Sequence, residues 1–187
     1  MKVSLCVLLL AVALASTAQS GAATLPDACG NDNVQFDVTT KKHQPVPAPA
    51  EAGKSQIIFI EVLDKTWGCW DCGTPSARFG VDGAWVGATK GNSYFAIDVP
   101  PGEHHLCAGW QSAFGHLRQM VGMASLHAEA GKTYYFEAKV RLHKHQYGTG
   151  TDSSAEMERK FDLLQVNEDE GKYRIRSSPL STFKPSQ

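Results

Sequence analysis

The sequence predicts an all-β fold, an antiparallel β-sandwich of about eight strands with one short C-terminal helix. Three observations carry it. Apolar residues alternate with period two over most of the chain, as half-buried strands require; glycine- and proline-bearing turn signals separate these runs at short spacing; and no stretch beyond the N-terminus carries a long apolar pattern of helical period.

In chain order, Val34–Val38 alternates as a short strand, and "KKHQPVPAPAEAGK" (41–54) follows as a proline-rich connector, since proline fixes φ and removes a donor. "SQIIFIEVL" is apolar on both faces, with Glu61 the only polar intrusion, which predicts a central strand. Arg78–Asp82 and Ala84–Ala88 flank Asp82-Gly83, a strong two-residue hairpin signal. Tyr94–Val99 is the next strand; Pro100-Pro101-Gly102 suits a tight reversal, with "EHHLCAGW" expected as its partner. In "EHHLCAGW", Leu106, Ala108 and Trp110 point inward, and His104 is expected to hydrogen-bond a turn. "GMASLHAEAGKTYYFEAKVRL" reads as strand, Ala-Gly-Lys turn, strand, with Tyr134, Phe136, Ala138, Val140 and Leu142 on one face and Glu137, Lys139 and Arg141 on a polar one, a half-buried antiparallel strand. Residues 144–160 are polar and predicted to be a long loop. "FDLLQV" is the last strand, and Asn167 with Glu170 resembles a capping box opening a helix over Glu168–Arg176, weakened by Gly171.

Lys2, an apolar run from Val3 to Ala15 and small residues through Ala23 have the layout of a secretory signal peptide, with cleavage expected at Ala18 or Ala22. The expected organisation is a signal peptide at 1–22 and one sandwich domain at 23–187, secreted or periplasmic, with no transmembrane segment after signal removal. Charges of 18 Lys+Arg against 19 Asp+Glu leave no basic field for nucleic acid. Outside the signal stand Cys29, Cys69, Cys72 and Cys107, an even number suited to two disulfides in one of three connectivities. Cys69–Cys72 and Cys29–Cys107 are favoured, the first because its loop is short, the second because a long loop gains most from closure.

The stretch "RFGVDGAWVGATKGNSYFAIDVPPGEHHLCAGW", with "ACGNDNVQFDV" and "AEAGKTYYFEAKV", resembles the bacterial exported domain family of unknown function DUF2846. A looser likeness is to PEGA-type domains, through the strand, Asp-Gly, strand, Pro-Gly, strand plan. The resemblance implies an Ig-like or PEGA-like envelope module and supplies no catalytic residues.

Three groups of side chains are candidates for chemistry. "WGCWDCG" places Cys69 and Cys72 at the spacing of a dithiol–disulfide couple, but Gly73-Thr74-Pro75 and a strand follow instead of the helix that lowers a redox thiol's pKa, so a loop disulfide is expected. Trp67, Trp70, Trp85 and Trp110 are a candidate binding surface for peptide or glycan. His143 and His145, two apart on a strand, are a candidate metal pair, opposed by Lys139 and Arg141 on the same face. Hydrolase and EF-hand motifs are absent. The expected role is therefore a non-enzymatic exported module, without cofactor, that binds an envelope protein, peptide or glycan or is structural. The alternative is thiol–disulfide or metal handling by Cys69/Cys72 or His143/His145.

Overall fold

The computed structural model describes residues 25–42, 46–63, 75–111, 120–147 and 154–186, with side chains described throughout these except at 141–159. The expected signal peptide, 1–22, lies outside the described residues. Among the described residues, ten strands and one helix occur in the order β1 (Phe36–Lys41), β2 (Ser55–Val62), β3 (Ser76–Val81), β4 (Ala84–Lys90), β5 (Tyr94–Val99), β6 (Gly102–Gln111), β7 (Val121–Ala128), β8 (Thr133–Tyr147), β9 (Ser154–Val166), α1 (Glu168–Ser177) and β10 (Leu180–Pro185). They form a mixed six-stranded sheet, β1-β10-β5-β2-β8-β9, and an antiparallel four-stranded sheet, β4-β3-β6-β7. The all-β sandwich is what the alternation predicts.

Period two puts Ile57 and Phe59 of β2, Phe79 of β3, Phe95 of β5, Leu106 of β6 and Phe136 of β8 on the faces that meet, and each is essentially removed from water. Phe59 is central: its ring centroid lies 4.8 Å from that of Phe79, 5.4 Å from that of Phe95 and 6.3 Å from that of Phe136, tilted contacts that aromatic quadrupoles favour. The sheets close on each other at both flanks through missing side chains. A Cβ on Gly87 of β4 would sit 2.4 Å from the Phe183 ring of β10, and one on Gly122 of β7 would sit 2.6 Å from the Leu163 backbone nitrogen of β9.

The outer face of the six-stranded sheet is covered as well. α1 lays Ile175 on Ile58 and Ile60 of β2, Tyr94 of β5 and Tyr135 of β8, a second apolar cluster. Asn167 caps α1, its side chain accepting from the Glu170 backbone nitrogen at 2.9 Å, as the box motif predicts. Gly171, expected to weaken the helix, is instead what lets it approach, because a Cβ there would lie 2.2 Å from the Tyr135 ring.

The strand pattern differs from expectation in several places. β8 pairs antiparallel with β9 but parallel with β2, Ile57 opposite Tyr134 and Phe59 opposite Phe136, because alternation dictates faces and not neighbours. Its second face is not a solvated one: Tyr135 and Glu137 are buried beneath α1. Residues 144–160 are largely strand, not loop, since β8 runs to Tyr147 and β9 starts at Ser154. Beyond Lys139 the two arms leave β2 behind and pair only with each other among the described residues. Val140 and Phe161 at the root of these arms still face the core, and the register further out sets His143 opposite Glu158 and His145 opposite Glu156. Finally, no strand was expected after the helix; β10, "LSTFKP", pairs with the whole of β1, Phe36 opposite Pro185 to Lys41 opposite Leu180, and β1 starts two residues later than Val34–Val38.

Helix propensity alone says that Gly171→Ala should stabilise the protein. The packing reverses the sign: the variant should lose about 1–3 kcal/mol through overpacking against Tyr135, read as a lower urea midpoint.

Candidate functional site

Residues 26–34 form a strap across the outer face of the four-stranded sheet. Cys29 is disulfide-bonded to Cys107 of β6, Cα atoms 5.2 Å apart, and both are buried. Next to the disulfide, Arg78 of β3 is only 1 % exposed. Its Nη1 donates to the Asp32 carbonyl at 2.8 Å and the Val34 carbonyl at 2.6 Å, its Nη2 to Asp32 Oδ1 at 2.5 Å, and the guanidinium lies 4.2 Å from the Trp85 ring centroid. Trp85 Nε1 in turn donates to the Asn31 carbonyl at 2.8 Å. The strap thus supplies the acceptors a buried cation needs, and the sheet supplies the space: a Cβ on Gly30 would lie 2.4 Å from Trp85, and one on Gly80 3.1 Å from the Ala28 carbonyl.

The strap's first residues rest on the β3–β4 turn. Asp82 and Gly83 take φ of 50° and 85°, the double positive φ that a two-residue hairpin of this kind demands. The Gly83 nitrogen donates to the Ala28 carbonyl at 3.2 Å. Asp82 reaches the other way, its Oδ1 accepting from the His105 nitrogen at 2.8 Å and its Oδ2 lying 2.6 Å from His104 Nδ1. His104, 5 % exposed, has its Nε2 2.8 Å from the Pro100 carbonyl in the β5–β6 turn. Both neighbours are acceptors, a carboxylate and a carbonyl, so only the doubly protonated ring makes both bonds. Burial opposes that charge, yet the Pro100 carbonyl and the Asp82 carboxylate hold the His104 pKa above the ordinary histidine range. Asp82 is held below the usual carboxylate range: burial pushes it up, but the His105 N–H and the His104 ring outweigh that.

Two further acids are buried. Glu61 of β2 sits at a core-facing position, 1 % exposed; its Oε2 accepts from the Thr89 hydroxyl at 2.7 Å, and its Oε1 has no hydrogen-bond partner. Burial pushes it up to about 8, against the pull of Thr89 and the Ala77 backbone, so it is neutral at pH 7. Glu137 of β8, fully buried on the opposite face, accepts from Lys139 and has Arg174 Nη2 of α1 3.4 Å from its Oε2. Arg174 is shared with Glu170 at 3.1 Å. A paired acid under a helix and a neutral acid in the core are both structural solutions to burial.

The sequence candidates are therefore dispersed. Cys29 and Cys107 meet as favoured, while Cys69, Cys72, Trp67 and Trp70 lie outside the described residues. Trp85 and Trp110 do not share a surface: Trp85 is on the outer face beneath the strap, and Trp110 is 3 % exposed in the core, its ring centroid 5.0 Å from that of Phe161. His143 and His145 lie on β8, and their side chains are outside the described part. Among the described residues no three His, Cys, Asp or Glu side chains are placed to hold a metal. Asp82 was read for the hairpin turn but not as the partner of His104, and Arg78 and Glu61 were given no role; Glu61 carried a readable signal, an acid at a core position of a strand apolar on both faces. No family model matches the chain, and no curated protein or solved structure matches it.

His104 stabilises the fold while protonated, so this contribution is full below the unfolded histidine pKa and is lost as pH rises through the higher folded value. The Asp82 contribution is lost on the acid side, as pH falls through its lowered value. His104→Gln should cost about 1–3 kcal/mol near pH 6 and flatten the alkaline limb of urea midpoint against pH. Glu61 has the opposite sign to a paired acid: its raised pKa means the unfolded chain ionises first, so stability falls as pH rises from the ordinary glutamate range to about 8. Glu61→Gln should therefore be more stable than wild type by at least about 1 kcal/mol at pH 7, with the gain vanishing near pH 4.

Proposed function

We propose that this chain is an exported, non-enzymatic β-sandwich module of the bacterial envelope or exterior, acting by binding a partner or as a structural unit. The Cys29–Cys107 disulfide carries the reading, because it closes the strap over a buried arginine and such bonds persist in oxidising compartments. The signal-like N-terminus agrees with it, and no described helix is long and apolar enough to cross a membrane. In support of a non-catalytic role, the buried polar side chains of the strap and turns are spent on one another: both His104 nitrogens and both terminal nitrogens of Arg78 are occupied by the protein's own acceptors.

With Trp85 and Trp110 engaged internally, recognition of a peptide or glycan falls to Trp67 and Trp70. Expressed with a C-terminal tag in a bacterial host, the chain should be recovered from the periplasm or medium, begin after Ala18 or Ala22, and yield a Cys29–Cys107 linked peptide by non-reducing mass spectrometry. Its tryptophan fluorescence should respond to a cell-wall fraction, and Trp67→Ala with Trp70→Ala should remove the response at unchanged circular dichroism. An unprocessed cytoplasmic chain with free thiols at Cys29 and Cys107 overturns the reading.

A further inference from the structure

The disulfide is sealed by groups that titrate. Cys29 is 6 % exposed and Cys107 fully buried, so no reductant reaches either sulfur until the strap lifts. One end of the strap is held by Arg78, whose charge does not change with pH, through Asp32 and Val34. The other end, at Ala28, is held by the Gly83 nitrogen, and Gly83 is positioned by Asp82, whose carboxylate is fixed by His104 and by the His105 N–H. Ala28 adjoins Cys29, and His104 precedes Cys107 by three residues on β6, on the opposite face of the strand, so the link from His104 to the strap runs through the Asp82-Gly83 turn.

We infer that the His104–Asp82 pair is a proton-operated catch on the Cys29–Cys107 disulfide: with His104 doubly protonated the strap stays shut, and loss of that proton frees the Ala28 end and admits a reductant. The neutral ring has one N–H for two acceptors, so it must release either Asp82 or the Pro100 carbonyl, and the turn that carries Gly83 loosens. The charged groups around His104 are Asp82 from the β3–β4 turn, Glu103 from β6 and, bound to Glu103 at 2.6 Å, His127 from β7; His105 also flanks it on β6. His127 and Glu103 are both solvated, which singles out His104 as the controlling proton. The step itself is ordinary exchange: a dithiol reduces the bond with two electrons, forming its own disulfide and leaving Cys29 and Cys107 as thiols.

A water-soluble phosphine tests this without a thiol's own titration. It attacks one sulfur, the S–S bond breaks, and water delivers two protons to the sulfurs and an oxygen to phosphorus, giving two thiols and the phosphine oxide. Reduction of the full mature chain is followed by alkylation and mass spectrometry of the Cys29 and Cys107 peptides, so Cys69 and Cys72 do not enter. Each rate is divided by that of the denatured chain at the same pH. Between about pH 6 and about pH 9.5, a span that brackets histidine titration, the normalised wild-type rate should step up about fivefold, the change in open population that losing one hydrogen bond supplies. Asp82→Asn keeps a residue that tolerates positive φ in the turn but removes the anion. It should raise the low-pH rate and move the step to lower pH. His104→Gln, provided its circular dichroism is native, should react fast at every pH. His127→Gln should leave the step in place. A flat normalised wild-type rate, a step unmoved in Asp82→Asn, or a step abolished by His127→Gln overturns the inference.

Discussion

A guanidinium removed from water needs acceptors at its charged end, and Arg78 is removed almost completely. No neighbouring strand of the four-stranded sheet gives it those acceptors. They come from the strap, as two backbone carbonyls and the Asp32 carboxylate on the two terminal nitrogens, and the Trp85 ring lies against the guanidinium. Much of the molecule's irregular structure follows from this one demand. The strap has to cross the sheet at Arg78, Gly30 and Gly80 have to lack side chains where it does, and the Cys29 sulfur is delivered over Cys107. Without the strap the cation would lose these acceptors; without the cation, what holds the strap among the described residues is Trp85, the Gly83 turn and the disulfide.

The same economy recurs elsewhere in the sandwich. Burial of polar groups is tolerated where a second element supplies partners, as when α1 brings Arg174 toward Glu137, or where the proton is retained, as in Glu61. Close approach of sheets and helix is permitted by glycine at Gly87, Gly122 and Gly171, three positions where a methyl group would overlap atoms of the facing element. The core between them is conventional, aromatic and tightly grouped about Phe59.

Faces and turns were legible in the sequence, because both are local. The alternation of β2, β5 and β6, the Asp82-Gly83 hairpin and the Asn167 cap depend on residues within a few positions of each other; Pro100-Pro101-Gly102 was legible as a break, but it carries the chain from one sheet to the other, so β6 is not the partner of β5 that a tight reversal would make it. Partnership was not legible. Nothing in "TYYFEAKV" says that β8 runs parallel beside β2, and nothing in "LSTFKP" says that it is the neighbour of β1, since strand direction is set by connections far along the chain. The site was readable to the same degree. His104 was expected to bind a turn and Cys29 to reach Cys107, whereas the burial of Arg78 was hidden because an arginine between Ala77 and Phe79 looks like the solvent side of an ordinary edge, and only the strap makes it otherwise. Trp110 looked inward on alternation alone, yet its indole invited a place on a binding surface that its burial against Phe161 denies.

The pairing of β1 with β10 joins the two extremes of the folded region, Phe36 beside Pro185. A chain emerging from its amino end presents β1 early and finds no hydrogen-bonded neighbour for it until nearly the last residue has been made. Such distant pairing makes closure slow. During that interval the leading strand is an open hydrogen-bonding ribbon, exposed to pairing with other chains until β10 arrives.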